Sequence, residues 1–474
     1  MQSTLGLLGA PDEWLAFQKA DETERRRLIE MPPNSARLAD DRLDLLRRSR
    51  RESCDLRERT DAYCSPREWS LEMMAQMGMT AAVVLLATAD LSAQGASSTA
   101  RTLVQTQTGA VAVERLHGLD NPWGMAFLPD GRLLITEKPG RLRIHSGGKL
   151  SGPVAGVPGV NYRSQGGLLD VAVDPDFARN GFIYLYFVEA AEPQPADARE
   201  TGDPRFGAFV DMADNTVKGG GVARGRLEGE QLRDVRIIWR QAPKMVGRGH
   251  FGGRLAFAPD GKLFITSGDR MRFDPAQDMT GNLGKIVRIN TDGSIPSDNP
   301  FVGQQGASAD VWTYGHRNPL GAAINPASGQ LWINEMGPAG GDEVNLITRG
   351  RNYGWPLVSN GDNYDGSQIP DHITQKQYEA PAQSWTPSVS PSGLLFHSGR
   401  RFSQWRGNAL AGGLSSKALL RFTLTGDRIS AVEQIDMGKR IRDVIEAPDG
   451  AVLLLVDGDK GELLRLTPAG RPRR

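Results

Sequence analysis

His250 stands in the run RGHFGGRLAF, directly ahead of an alternating apolar strand and between small residues that leave its ring sterically uncommitted to a core. A histidine titrating near neutrality at a strand end can work as a general base. The stretch from Asp310 to Tyr353 adds a cation and an amide (Arg317, Asn318), a hairpin, a backbone-exposing Gly337-Pro338 pair and two adjacent acids, Asp342 and Glu343. Gly315 and Pro319 bracket His316, Arg317 and Asn318, which predicts an exposed loop at a strand end, where binding residues gather. Lys417 in GLSSKALLRF and Arg440 with Arg442 in GKRIRDVIEAPDG also fall near the starts of strands. If these cations converge, their ligand is polyanionic, because clustered like charges need carboxylates or phosphates to compensate them. The Gly337 and Pro338 carbonyls and the Glu343 carboxylate form an oxygen set suited to calcium rather than to a transition metal. For each residue alone, a solvated turn or a surface charge is the competing reading. His117, His145, His372 and His397 read as structural or surface residues, and none pairs at zinc-ligand spacing.

The elements that must position these side chains are strands. From Val111 onward one template recurs: FLPDGRLLITEKPGRLRI, VDPDFARNGFIYLYF, FAPDGKLFITSGD, INPASGQLWINE and EAPDGAVLLLVD, with a degenerate copy at Ser392 to Gly413. Each joins an apolar residue, a Pro-Asp-Gly-type turn and an alternating strand, and is therefore a hairpin. A second template (GKIVRINTDGSI, ALLRFTLTGDRI, GELLRLTP) supplies an outer strand of the same unit. Hairpin pairs at intervals of roughly 45 to 85 residues predict an all-β, six-bladed β-propeller. Val111 to Leu119 is a spare strand placed to close the ring by completing the C-terminal blade. Ala190 to Asn215 and Gly354 to Trp385 are then loops that build the site.

Composition bounds the function. The 56 basic and 56 acidic residues balance, which removes a general electrostatic case for nucleic acid or an anionic membrane surface. The only cysteines are Cys54 and Cys64, so the later chain has no cysteine nucleophile, thiolate metal site, disulfide or c-type haem. The domain reading is a charged extension over 1–70, partly helical or disordered, then a signal-peptide-like segment over 71–93, a linker over 94–110 and the propeller over 111–474. The apolar centre Thr80 to Ala89 is too short to span a bilayer and is followed by a small-residue cleavage site at Ala93. We expect a start at Met73, Met74, Met77 or Met79, and export to the periplasm or medium with no stable membrane insertion.

Seven motifs, in order, carry a resemblance: GLDNPWGMAFLPDGRLLITEKPGRL, QGGLLDVAVDPDF, GHFGGRLAFAPDGKLFITSGD, GHRNPLGAAINP, NEMGPAGGDEVNLI with NYGWP, LSSKALLRF and RIRDVIEAPDG. From Val111 to Pro468 the chain resembles the soluble pyrroloquinoline quinone (PQQ)-dependent aldose sugar dehydrogenases, a six-bladed propeller family that includes soluble glucose dehydrogenase. The resemblance implies oxidation of the anomeric carbon of an aldose to the lactone, with His250 as base and hydride passing to the quinone. It implies that Gln165, Arg317, Asn318, Lys417, Arg440 and Arg442 contact the cofactor. It further implies one calcium at the cofactor on the Gly337 and Pro338 carbonyls, and a structural calcium on Glu343 and the Tyr353 carbonyl. Gly249 and Met336 depart from glucose dehydrogenase, which has an acid and a glutamine there, and this favours the broader aldose branch.

No CxxCH occurs, so electrons must leave to an external acceptor, whether cytochrome, quinone or dye. A monomer is expected. Two other classes compete: a calcium-dependent lactonase on a six-bladed propeller, and a non-catalytic binding propeller. The lactonase calls for acidic or amide side chains around its ion, whereas this chain offers backbone carbonyls and a surplus of Arg and Lys. The binding module has no use for a histidine base beside a cationic mouth.

Overall fold

The computed structural model describes residues 101–199, 203–209 and 214–470. The charged extension, the signal-like segment and the start of the expected linker lie outside the described residues. The described residues form a six-bladed, all-β propeller.

The Pro-Asp-Gly turns set the repeat. Gly131, Gly261 and Gly450 all take positive φ (86°, 77° and 81°), where a side chain would be strained. Each donates its N–H to the residue three back (Leu128, Ala258, Ala447), and the turn aspartate accepts the next backbone N–H. These identical turns join the first and second strands of blades 1, 3 and 6. The innermost strands are Pro122–Phe127, Leu168–Val173, Gly252–Phe257, Pro319–Ile324, Pro391–Phe396 and Ile441–Glu446, and neighbours touch in a closed cycle. Every one carries a register shift against its second strand, as the tight bend around an axis requires. The second strands are buried on both faces, which explains continuous apolar runs such as Val452–Val456. Six apolar clusters fill the six seams between blades, so the core is a ring of interfaces.

The ring closes through Gly109–Leu119, which pairs antiparallel with Gly461–Pro468 from Val111↔Pro468 to Leu119↔Gly461. Two boundaries differ from expectation. Arg101–Thr106, read as linker, adds a fifth strand to this blade by pairing with Gly109–Glu114. Gln383–Trp385, read as loop, is the fourth strand of blade 4. Both are short, and neither has a turn motif to announce it. The second template forms third strands, Lys285–Ile289, Ala418–Thr425 and Gly461–Pro468.

In an up-and-down blade, the segment entering the first strand and the loop between strands two and three open on the same face. His250, Gln165, Arg317, Asn318, Arg440 and Arg442 stand at first-strand entries, and Gly337, Pro338 and Lys417 on second-to-third loops. All therefore share the face opposite the Pro-Asp-Gly turns.

Candidate active site

The imidazole of His250 is buried, 5% exposed, contrary to the uncommitted position its neighbours suggested. What buries it is a long-range partner: Nδ1 lies 2.7 Å from Asp269 Oδ1. Asp269, fully buried at the end of FITSGD, also accepts the Trp355 indole N–H at 2.8 Å and the Met271 amide at 2.8 Å. Burial alone would raise its pKa, but His250, Arg317 and Trp355 hold it below the usual carboxylate value. An ionised carboxylate there accepts a hydrogen bond from the Nδ1–H of a neutral ring, leaving Nε2 as the acceptor. Burial, then the Arg317 charge, push the His250 pKa below its ordinary value, so the ring is neutral at pH 7. Nε2 makes no hydrogen bond among the described residues. The result is an oriented imidazole whose Nε2 lone pair is available.

Around this dyad the sequence-derived residues gather. Gln165, exposed, accepts the His250 backbone N–H at 2.8 Å. Asn318 accepts from Gly252 at 3.2 Å. Arg317 donates to the Met336 carbonyl at 3.1 Å and to the Tyr364 hydroxyl at 3.4 Å, and its Nε is buried without a hydrogen-bond partner among the described residues. His316, Arg317 and Asn318 are not the exposed loop expected of them: all are buried, because Glu335 receives the His316 ring and the Arg317 amide.

Two long segments complete the wall. The connection after Leu346 climbs the seam between blades 3 and 4, bridging Tyr314 to Asn352, and brings Trp355 and Tyr364 to the site. The segment after Ala190 brings Phe206, edge-on to His250 at 6.2 Å and stacked with Tyr364 at 6.0 Å.

Asp342 and Glu343 separate, as period-two alternation requires. Asp342 is consumed by backbone, accepting from Gly337, Val389 and Ser390. Glu343 is buried beside Glu335, and both accept from Asn345. Burial and the Glu335 charge raise the Glu343 pKa well above its ordinary value. His372, read as structural or surface, lies here with Nε2 3.1 Å from the Tyr353 carbonyl and Nδ1 3.8 Å from Glu343. Arg317, Met336, Gly337, Glu343, Tyr353 and Trp355 bound a cavity of about 10 Å³, room for one water or ion. Gly337 has no room for a side chain, since a Cβ would stand 2.3 Å from the Gly340 carbonyl. No group of three or more His, Cys, Asp or Glu side chains meets at metal distance among the described residues.

On the same face, Arg442 (2.9 and 2.8 Å) and Arg440 (3.1 Å) share Asp457, the last residue of the EAPDGAVLLLVD repeat, to which the sequence assigned no role. Burial would raise the Asp457 pKa, but the two arginines hold it low. Lys138 stands close enough to Arg442 that, after burial, that charge helps push its pKa down to about 8. Its ammonium donates to the Ser164 carbonyl, next to Gln165. Lys417 and Arg440 are exposed on this face. Larger surface grooves, of about 690 and 600 Å³, have other linings, in which Glu137 is paired to Arg141 and Glu189 to Arg240, so size does not locate the site.

Residues 119–465 match the family described as Glucose / Sorbosone dehydrogenase. The chain is 41% identical over 358 residues to "Aldose sugar dehydrogenase YliI" of Escherichia coli (strain K12), covering 74% of this chain and 91% of that one. Among solved structures, the apo-form soluble aldose sugar dehydrogenase of Escherichia coli is 40% identical, with a TM-score of 0.69 over 76% of this chain and all of that one. The PQQ-bound aldose sugar dehydrogenase of Streptomyces coelicolor is 28% identical, with a TM-score of 0.58 over 75% of this chain and 98% of that one. On the match across the whole ring, the chain belongs to the glucose/sorbosone dehydrogenase family.

Proposed function

We propose that this protein is a PQQ- and calcium-dependent oxidoreductase that converts the anomeric C–OH of aldoses to the lactone. The observation that carries this reading is a carboxylate-oriented His250 beside Arg317, on the face of the ring that also carries Lys138, Arg442, Arg440 and Lys417. A tricarboxylate quinone fits such a mouth: the cations compensate its charges, and the unpartnered Nε of Arg317 needs an acceptor. A cation fits the cavity bounded by Gly337 and Glu343, where a raised carboxylate pKa marks uncompensated acidity. When bound, the calcium-polarised quinone supplies a hydride acceptor. The chain's own residues do the rest. Asp269 keeps the imidazole neutral and turned, and Nε2 takes the proton of the anomeric hydroxyl. Arg317 and Asn318 would contact the quinone oxygens and the calcium side. Gln165, Lys417, Arg440 and Arg442 would hold the remaining oxygens, while Phe206, Tyr364 and Trp355 would exclude water. Gly337 and Pro338 would offer carbonyls to the cofactor's calcium; Glu343 and the Tyr353 carbonyl would hold a structural one. Electrons then leave to an external acceptor, and the enzyme works as a monomer in the periplasm or medium; among the described residues no helix is long and apolar enough to cross a membrane.

The test is dye-linked oxidation of an aldose panel with and without PQQ and calcium. Activity only with both, together with a quinone absorbance bleached by sugar, is expected. A protein that binds no PQQ and turns over no sugar, but opens a lactone with calcium, overturns the proposal. Lys417→Ala should weaken PQQ affinity about tenfold or more, as loss of a charge-assisted hydrogen bond does. Lys417 is exposed, so the fold should tolerate the change; spectrophotometric titration with PQQ reads it. Calcium should raise Tm by a few degrees through preferential binding to the folded state, and Glu343→Gln should remove most of that gain in calorimetry.

A further inference from the structure

His250 takes a positive φ (51°), as do Arg270, Met271 and Phe273 across from it (58°, 57° and 59°). Side-chain-bearing residues in this region are strained, and persist only where surrounding contacts over-determine them. Arg270 supplies those contacts. Its guanidinium, 1% exposed, donates from Nε to the Gly249 carbonyl (3.0 Å) and from Nη2 to Gly247 (2.7 Å). Nη1 donates to Lys218 (2.8 Å) and Met245 (3.3 Å), and the group lies 4.0 Å from the Phe251 ring. The Arg270 amide holds the His250 carbonyl at 3.1 Å. The acceptors at 245, 247 and 249 are alternate carbonyls of the segment that ends in His250.

We propose that Arg270 is a positioning residue for the reaction: its fork fixes the 245–249 segment so that His250 meets Asp269 through Nδ1 and presents Nε2 to the sugar. This rests on the reading of His250 as the base. Gly268 permits the arrangement, since a Cβ there would stand 2.3 Å from the His250 carbonyl. Guanidinium geometry matters, because a lysine ammonium is a point charge that cannot span these separated carbonyls. Charge and geometry are separable. The charged groups facing His250 are Asp269, Arg317 and Arg270, and both cations disfavour the imidazolium.

Arg270→Lys keeps the charge and loses the fork; Arg270→Met loses both. In the cofactor-free full chain, NMR of the His250 Nδ1 proton bonded to Asp269 reads the orientation directly. In the PQQ- and calcium-loaded enzyme, kcat and KM for glucose are followed against pH. Arg270→Lys should lose the Nδ1 proton signal and lower kcat at least tenfold, with KM within twofold and the acid limb moved to lower pH, because the carboxylate that favours the imidazolium no longer meets the ring. Arg270→Met should do the same with its acid limb at higher pH than that of the lysine variant, because a cation that held the imidazole neutral is also gone. An Arg270→Lys protein that retains the Nδ1 signal and kcat within twofold, whatever its Tm, overturns the proposal. If Arg270→Met does not fold, the lysine variant decides alone. A wild type that oxidises no sugar sinks the dehydrogenase reading, while the NMR arm still decides whether Arg270 orients the ring: signal lost upholds it, signal kept overturns it.

Discussion

His250→Ala is expected to lower kcat for aldose oxidation by about a thousandfold, within the range that general-base catalysis contributes, while PQQ affinity stays within a few-fold of wild type. The two halves of this outcome follow from the geometry. The imidazole meets Asp269 and Phe206 while Gln165 holds only the His250 backbone, whereas Arg440 and Arg442 are held independently by Asp457 and Arg317 by the Met336 carbonyl. Removing the ring therefore removes the proton acceptor without dismantling the anion site. Loss of PQQ binding along with activity would instead make His250 a structural residue. The pH dependence has a definite sign. The base works neutral, and burial with Arg317 depresses its pKa, so kcat should rise with pH through a limb lying below the ordinary imidazole value of about 6.5. Asp269→Asn should reduce kcat about a hundredfold or more. Its amide cannot accept from the His250 ring and also from both Trp355 and Met271 without turning a donor on one of them. Stopped-flow reduction of the bound quinone by sugar would report both variants free of the acceptor step.

The architecture is legible in the sequence because its signals are local. Pro129-Asp130-Gly131 makes its turn from three residues and one backbone hydrogen bond, and the same chemistry recurs at Pro259 and Pro448, so the repeat and the hairpins can be read without knowing what packs on them. The face that carries the site follows from strand polarity alone, and His250, Arg317, Arg440 and Arg442 stand there. The partners are not legible. Asp269 and Asp457 each end a second strand and look like any turn acid, yet they become the carboxylates of His250 and of the two arginines only when blades close. Lys138 and Trp355 reach the mouth from other parts of the chain. Burial is misread for the same reason: Gly315 and Pro319 flank a segment that looks solvated until Glu335, on the neighbouring strand, supplies its acceptors.

Arg254 is the residue whose loss should cost the fold most. It rises from the blade 3 inner strand into the axis, where Nη1 lies 3.2 Å from Asp170 of blade 2 and 3.0 Å from Asp443 of blade 6. Nε donates to Leu320 of blade 4 and Nη2 to Arg442, while the guanidinium covers the Trp123 ring of blade 1 at 4.1 Å. Ser392 of blade 5 donates to the same Arg442 carbonyl, so one cation ties the inner strands of five blades, shares an acceptor with the sixth, and steadies the backbone of a mouth arginine. All three charged side chains are at most 7% exposed, and burial pushes the Asp443 pKa up to about 6 even with Arg254 present. Arg254→Met leaves two carboxylates facing each other in a dry axis and should destabilise by about 3–5 kcal/mol, the usual cost of orphaning a buried charge. The sign with pH is fixed. A carboxylate whose folded pKa exceeds its unfolded value binds its proton more tightly in the native state, so stability falls as pH rises through that window. The Tm deficit of Arg254→Met should therefore be smaller at pH 5 than at pH 8. Adding Asp443→Asn should recover part of it, since the amide removes one charge and can donate to Asp170. A deficit independent of pH and untouched by the second substitution would mean that Arg254 acts through its packing on Trp123 and not through the ion triad.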